Sequence, residues 1–341
     1  MQWAGYTACP KLGRIYFCNM QFIRYAIAFL GFLSACVAGQ DTEILRKEAE
    51  QGHAIAQFNL ALAYDLGDGV SKDLAEAAKW YRKAAEQGLV QAQFNLGIAF
   101  AQGDGVPKDL EEAVKWYRKA AEQGFAAAEI TMGDVYERGE GVPEDIKEAI
   151  NWWRKAAEQG LAQAQFTLGL AYDLGRGVPK DPEEAVQWWR KSSEEGHADA
   201  QARLGLAYYQ GRGVPKDLEE AAKWWRKAAE QGLAQAQFSL GIAYDQGQGV
   251  TKDAEEAVKW WRKAAEQGVG LAHYNLGIAY IRGQGVLKNL VEAYAWANIA
   301  AIQEPELTQE LRDSIEKEMN QEQIAEAKKR AKEILATIRK P

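Results

Sequence analysis

The sequence predicts an all-α chain, a solenoid built from helical hairpins stacked side by side, on three observations. The tetrapeptide AEQG begins at Ala49, Ala85, Ala121, Ala157, Ala229 and Ala265, with SEEG at Ser193, so one unit recurs every 36 residues. Each unit holds two segments with apolar residues at helical spacing, separated by a glycine-rich turn. One tryptophan slot is filled in every copy, by Trp80, Trp116, Trp152, Trp188, Trp224, Trp260 and Trp296.

From the amino terminus, residues 1–40 read as a leader. No acidic residue precedes Asp41, and Lys11, Arg14 and Arg24 make the segment basic. From Met20 the order is a basic residue at Arg24, an apolar run from Tyr25 to Leu33, then Ser34, Ala35 and Ala38. That is the pattern of a secretory signal, in a run short for a bilayer span. Because the pattern is complete from Met20, that residue is a candidate true start, the alternative being a long basic region that begins at Met1. Three fates stay open, one of them an uncleaved anchor or buried helix, the other two cleavages. The stretch LSAC, Leu33 to Cys36, matches a bacterial lipobox and makes Cys36 a lipidation candidate, whereas cleavage after Ala38 discards it. Either way the chain is expected to be exported, to the periplasm or to a lipid anchor on the cell envelope.

Residues 41–52 form half a unit and are expected to cap the stack as one helix. Residues 53–304 make seven full units: 53–88, 89–124, 125–160, 161–196, 197–232, 233–268 and 269–304. In the second, Ala92, Leu96, Ala99 and Phe100 mark one face of a first helix, helix A. Gly103 ends it and Pro107 delays the next start. Asp109 then caps helix B, with Glu112 spaced to reach back to the cap's own N–H. The same pair recurs as Asp73/Glu76, Asp145/Glu148, Asp181/Glu184, Asp217/Glu220, Asp253/Glu256 and Asn289/Glu292.

Helices of about a dozen residues are marginal alone and need packing. A buried tryptophan removes roughly 150–250 Å² from water, worth at most about 4–6 kcal/mol, enough to join one hairpin to the next. Glycines at 97, 133, 169, 205, 241 and 277 fall in mid-helix A, where they cost stability unless something large packs against them. The series Tyr64, Phe100, Tyr136, Tyr172, Tyr208, Tyr244 and Tyr280 is expected to be that bulk. After Pro305 the period is lost. Helices over 306–319 and 321–338 are expected to close residues 305–341, the second capped by Asn320 and packed through Ile324, Ala327, Ala331, Ile334, Leu335 and Ile338.

The spacing A-x-A-Q-F-x-L-G-x-A-Y-x-x-G-x-G-V-x-K-D-x-x-x-A-x-x-W-x-R-K-A-A-E-Q-G resembles the Sel1-like repeat, a relative of the tetratricopeptide repeat. The resemblance covers residues 53–304. It implies a right-handed α-solenoid, often bacterial, that assembles protein complexes and shares no catalytic residue. Some relatives are linked to hydrolysis or drug binding, which keeps an envelope enzyme as the rival class.

Composition narrows the function. Acidic residues outnumber basic ones by 48 to 41 and the pI is near 5.3, so no basic surface exists for nucleic acid. All cysteines, Cys9, Cys18 and Cys36, lie in the leader. His53, His197 and His273 are far apart, and His53 and His197 share one repeat position, which reads as a helix start and not as a metal site. Ser314 to Lys317, SIEK, lacks the partner motifs of serine acyl-enzymes. The loop from Asp65 to Asp73 lacks calcium-loop spacing. No catalytic, cofactor or metal residue is assigned. The expected partner is a protein or peptide bound along helix A, through the varying series Asn59, Asn95, Thr131, Thr167, Arg203, Ser239 and Asn275. One turn earlier lie Ile55, Gln91, Ala127, Gln163, Asp199, Gln235 and Leu271. Copies three and five depart most, with Glu129, Ile130, Asp134, Glu137 and Arg138 in one and Ala202 beside Arg203 in the other.

Overall fold

The computed structural model describes residues 42–338, and all regular structure among them is helical. The leader, with Cys36 and the candidate start at Met20, lies outside the described residues. Two compact units divide the chain at Lys180 and Asp181. In the amino-terminal unit, α1 (Thr42–Glu50) precedes three hairpins: α2 (Ala54–Leu66) with α3 (Leu74–Glu86), α4 (Val90–Gln102) with α5 (Leu110–Glu122), and α6 (Ala126–Arg138) with α7 (Ile146–Glu158). This unit ends with α8 (Ala162–Leu174). The carboxy-terminal unit opens with α9 (Pro182–Glu194). It continues with α10 (Ala198–Gln210) and α11 (Leu218–Glu230), α12 (Ala234–Gln246) and α13 (Ala254–Glu266), and α14 (Gly270–Arg282) and α15 (Leu290–Ala300). It closes with α16 (Pro305–Glu316) and α17 (Gln321–Thr337). Within each unit each helix packs on the one before it, save that α17 packs on α15, the α-solenoid arrangement of stacked hairpins.

Helix A is not the one-sided stripe that periodicity predicts. In α4 every residue from Ala92 to Phe100 is buried, because the helix is pressed between its own helix B and the helix B before it. Helix B is one-sided: α5 buries Ala113, Val114, Trp116, Tyr117, Ala120 and Ala121 and turns its charges outward.

Half of the expected capping pattern forms. Asp73 accepts from the N–H groups of Ala75 and Glu76 at 2.9 and 3.0 Å, Asp145, Asp181 and Asp217 accept from the equivalent pair, and Asp109 and Asp253 accept from the N–H of Glu112 and Glu256 alone. The glutamate does not reach back. The cap's own N–H is already taken, since Asp109 N donates to Phe100 O and Asp253 N to Tyr244 O, each at 2.9 Å. Glu112 instead pairs with Lys115 at 2.9 Å, and Glu256 with Lys259 at 2.6 Å. Only α17 has the full reciprocal box, between Asn320 and Gln323, among the described residues.

The partner of the mid-helix glycine also differs from the expectation. A Cβ on Gly97 would stand 2.6 Å from the ring of Tyr117, and one on Gly241 would stand 2.4 Å from Trp261 Cδ1. The bulk opposite Gly97, Gly133, Gly205 and Gly241 is therefore the second aromatic of the same hairpin's helix B. Tyr64 and its equivalents reach backward instead: Arg46, Arg118, Arg154, Arg190 and Arg262 of the preceding helix donate to Tyr64, Tyr136, Tyr172, Tyr208 and Tyr280 at 2.6 to 2.8 Å. Where Phe100 has no hydroxyl, Arg82 sits 5.3 Å from its ring centre.

This predicts opposite results at two equivalent positions. Gly241→Ala is expected to lose about 1–2 kcal/mol, because overpacking against a buried indole outweighs the ~1 kcal/mol gained in helix propensity. At Gly277 the facing aromatic is replaced by Ala297, and the nearest atoms to a Cβ are Ala293 O at 3.3 Å and Leu311 Cδ2 at 3.4 Å. Gly277→Ala is expected to be neutral or to gain up to about 1 kcal/mol. Thermal unfolding of both variants decides; equal losses would contradict the pairing.

The end helices cover what the stack leaves open. Ala331 and Ile334 of α17 join the core around Trp296 and Ile299, and Ala327 with Ile315 of α16 joins Tyr294 and Ala297. Arg330 fixes α17 to Glu292 of α15 at 2.7 Å.

Candidate functional site

The framework of each hairpin uses the same contacts in copy after copy. The first tryptophans are buried, and in every copy but the last, where Ile299 takes the place, a lysine three residues later lies over the ring, as with Lys83 at 3.8 Å from Trp80 and Lys263 at 4.1 Å from Trp260. Glutamines that the motif alone does not interpret join hairpin to hairpin. Buried Gln57, Gln93, Gln165, Gln201 and Gln237 donate to the carbonyls of Ala49, Ala85, Ala157, Ser193 and Ala229, at the end of the preceding helix B, at 3.0 to 3.2 Å. The glutamine of AEQG completes the link: Gln87, Gln123, Gln231 and Gln267 donate to Gln57, Gln93, Gln201 and Gln237 at 2.7 to 2.9 Å. The sequence signal was available, a pair of glutamines 30 residues apart in copy after copy.

His273 replaces this glutamine in the last copy. It is buried, its Nε2 lies 2.9 Å from Ala265 O, and its ring stacks on Trp296. Burial pushes its pKa below the ordinary imidazole value. His197 caps α10 through Nδ1, 3.3 Å from Ala200 N, and burial lowers it as well. His53 occupies the same cap position and makes no side-chain cap bond. Ser314 is an exposed residue of α16 whose hydroxyl donates to Leu311 O. Asp65 is buried and accepts from Tyr81 at 3.3 Å, while Asp73 caps α3. Among the described residues no group of three His, Cys, Asp or Glu is arranged to hold a metal, and no helix is long and apolar enough to cross a membrane.

The series expected to meet a partner is divided by the structure. Asn59, Thr131, Arg203 and Asn275 are partly exposed. Asn95 and Ser239 have no exposed surface and Thr167 is buried. Ser239 and Thr131 spend their hydroxyls on carbonyls of their own helices, Gln235 O and Ala127 O. The row one turn earlier is different. Ile55 and Asp199 are exposed, and Gln91, Ala127, Gln163, Gln235 and Leu271 are partly exposed, so none of this row is buried in any copy.

Copy three carries the main electrostatic departure. Buried Glu129 takes the glutamine position and accepts from Gln159 at 2.7 Å; burial raises its pKa. Buried Glu137 pairs with Arg176 at 2.8 Å. Asp134 accepts from the indole N–H of Trp153 at 3.0 Å, and burial pushes its carboxyl up to about 7.

The comparisons agree with this geometry. The Sel1 repeat model matches residues 54–89, 90–125, 126–161, 162–197, 198–233, 234–269 and 270–304. A protective antigen of uropathogenic Escherichia coli with an SLR fold is similar at 31% identity over 87% of both chains, with a TM-score of 0.51. A Sel1 repeat protein from Oxalobacter formigenes is 42% identical over 63% of this chain and 86% of its own, with a TM-score of 0.55. Among curated proteins no match was found. Seven matched repeats on hairpins held by one recurring set of bonds make this chain a member of the Sel1-repeat family.

Proposed function

We propose that the chain is a non-catalytic scaffold that binds a protein or peptide partner along the exposed edge of its A helices. One observation carries the reading: the row Ile55, Gln91, Ala127, Gln163, Asp199, Gln235 and Leu271 varies from copy to copy and stays at the surface, while the bonded framework beneath it repeats. Varied carboxamide, acidic and aliphatic side chains on a fixed helical ladder supply both hydrogen bonding and apolar contact to an extended segment. Asn59, Thr131, Arg203 and Asn275 extend the edge by one turn.

The helix B face is a weaker candidate, because its charges are committed to one another, as in Lys79 with Glu76 and Lys223 with Glu220. A photo-crosslinking residue placed in turn at Gln91, Asp199, Lys79 and Lys223 tests the assignment in cells of the native source. Covalent partner adducts are expected from Gln91 and Asp199 alone. Adducts of equal yield from the lysine positions, or none from the A-helix row, overturn it. The basic and apolar order of the leader supports export, with Cys36 as the lipid attachment point if cleavage precedes it. Fatty-acid labelling lost in Cys36→Ala supports the anchor; an unlabelled protein in the soluble envelope fraction leaves export without it.

A further inference from the structure

The position of Asp134 on α6 is aliphatic in all other copies: Leu62, Ile98, Leu170, Leu206, Ile242 and Ile278. The residue follows Ala127 by two helical turns and Thr131 by one, so all three share the face of α6 that carries the candidate partner row. Ala127, Ile130, Thr131 and Asp134 are partly exposed, and so is Leu170 at the equivalent place on α8. One carboxylate thus reaches solvent among alkyl groups.

That carboxylate is held in place without being neutralised. Trp153 donates to Oδ1 at 3.0 Å, from an indole that crosses the adjacent Gly133 so closely that a Cβ there would meet Nε1 at 2.2 Å. An indole N–H carries no charge, so the bond orients the ionised group and leaves lone pairs for a second donor. The cations nearby are placed elsewhere. Arg138 lies 3.2 Å from Glu140, Arg176 lies 2.8 Å from Glu137, Arg118 donates to Tyr136, and Lys155 lies over Trp152. Among the described residues none forms an ion pair with Asp134. Along α6, Glu129, Asp134 and Glu137 stand against Arg138 alone, so the local charge is negative.

We infer that Asp134 receives a lysine or arginine of the partner segment, a basic residue flanked by aliphatic ones. The inference rests on the A-helix edge as the binding surface and adds the chemistry of what that edge takes at the third hairpin. A cation meeting an oriented carboxylate beside Ala127, Ile130 and Leu170 is screened by less water than one on the helix B face, where lysines already occupy the glutamates. The partner's aliphatic neighbours cover the same alkyl surface. An acidic residue in that place would meet like charge and be rejected.

Selection of a random peptide library displayed on phage, with the full chain as bait, tests this at about pH 8.5, where a carboxyl that burial pushes up to about 7 is ionised. Enriched peptides are expected to share a lysine or arginine beside aliphatic residues. One such peptide, made synthetically, is expected to bind Asp134→Leu and Asp134→Asn about ten-fold or more weakly than the wild-type chain. Leucine is the residue of three sibling copies, and thermal unfolding checks that the hairpin keeps its fold. Norleucine in place of the peptide's basic residue is expected to weaken binding to the wild-type chain by a similar factor and to leave binding to Asp134→Leu unchanged, the signature of a direct pair. Enrichment without a basic consensus, equal affinity for wild type and Asp134→Leu, or an empty selection overturns the inference. The edge is judged separately: peptides without a basic residue that crosslink from Gln91 keep it as a binding surface, and peptides that crosslink only from Lys79 remove it together with the role of Asp134.

Discussion

Replacing Trp225 by alanine is expected to cost the carboxy-terminal unit about 3–5 kcal/mol, and more than replacing its neighbour Trp224. Both rings are buried, but their work differs. Trp225 is 2% exposed, lies over Gly205, where a Cβ would meet its ring at 2.6 Å, and packs 5.4 Å from Tyr209. The cavity left by its removal is bordered by the helical backbone at Gly205, which cannot move into it as a flexible side chain could. Trp224 is 9% exposed beneath Lys227, whose flexible stem can move into the space vacated. Denaturant unfolding of the two variants checks the order, with the transition in the carboxy-terminal unit followed through its tyrosines and remaining tryptophans. A larger loss from Trp224→Ala would return the dominant role to the first tryptophan of each pair.

The second large effect is expected at the turns. Gly249 has a φ of +72°, and a Cβ on it would stand 1.8 Å from Leu218 O, in the first turn of α11. The turn of one repeat thus sits on the start of the preceding helix B with no room for a side chain. Gly232 has a φ of +93° and nothing within 4 Å of a Cβ. Alanine at Gly232 is expected to cost about 1–2 kcal/mol, the strain of the left-handed backbone alone. Alanine at Gly249 must also push one backbone off another, and a loss of at least twice that is expected. Comparable losses at both positions, measured by thermal unfolding, would mean the turn does not hold neighbouring repeats together.

Repetition made much of this legible. A single Asp before an apolar run is a weak sign of a helix start, but the same Asp at one phase in successive copies leaves little choice, and the caps form there. The tryptophan slot and the mid-helix glycine were equally plain. Their pairing was not, because Gly97 faces a residue 20 positions later, and only the angle between two helices selects Tyr117 over Phe100. The glutamine links were hidden for the same reason: Gln93 meets Ala85 O only once one hairpin is laid on the next. The candidate partner row shows how narrow the margin is. Asn95 and Gln91 are one helical turn apart, yet one is enclosed and the other reaches solvent.

The sequence by itself determined that this protein is a series of capped helical hairpins, because helix starts, stops and apolar faces are local properties repeated with one period. Tertiary structure alone decided which rings meet which glycines, which carbonyls the glutamines close, and that Asp134 comes to lie against the Trp153 indole. Those outcomes depend on distances between segments whose side chains meet only after hairpins stack, and desolvation is a property of that assembled interior.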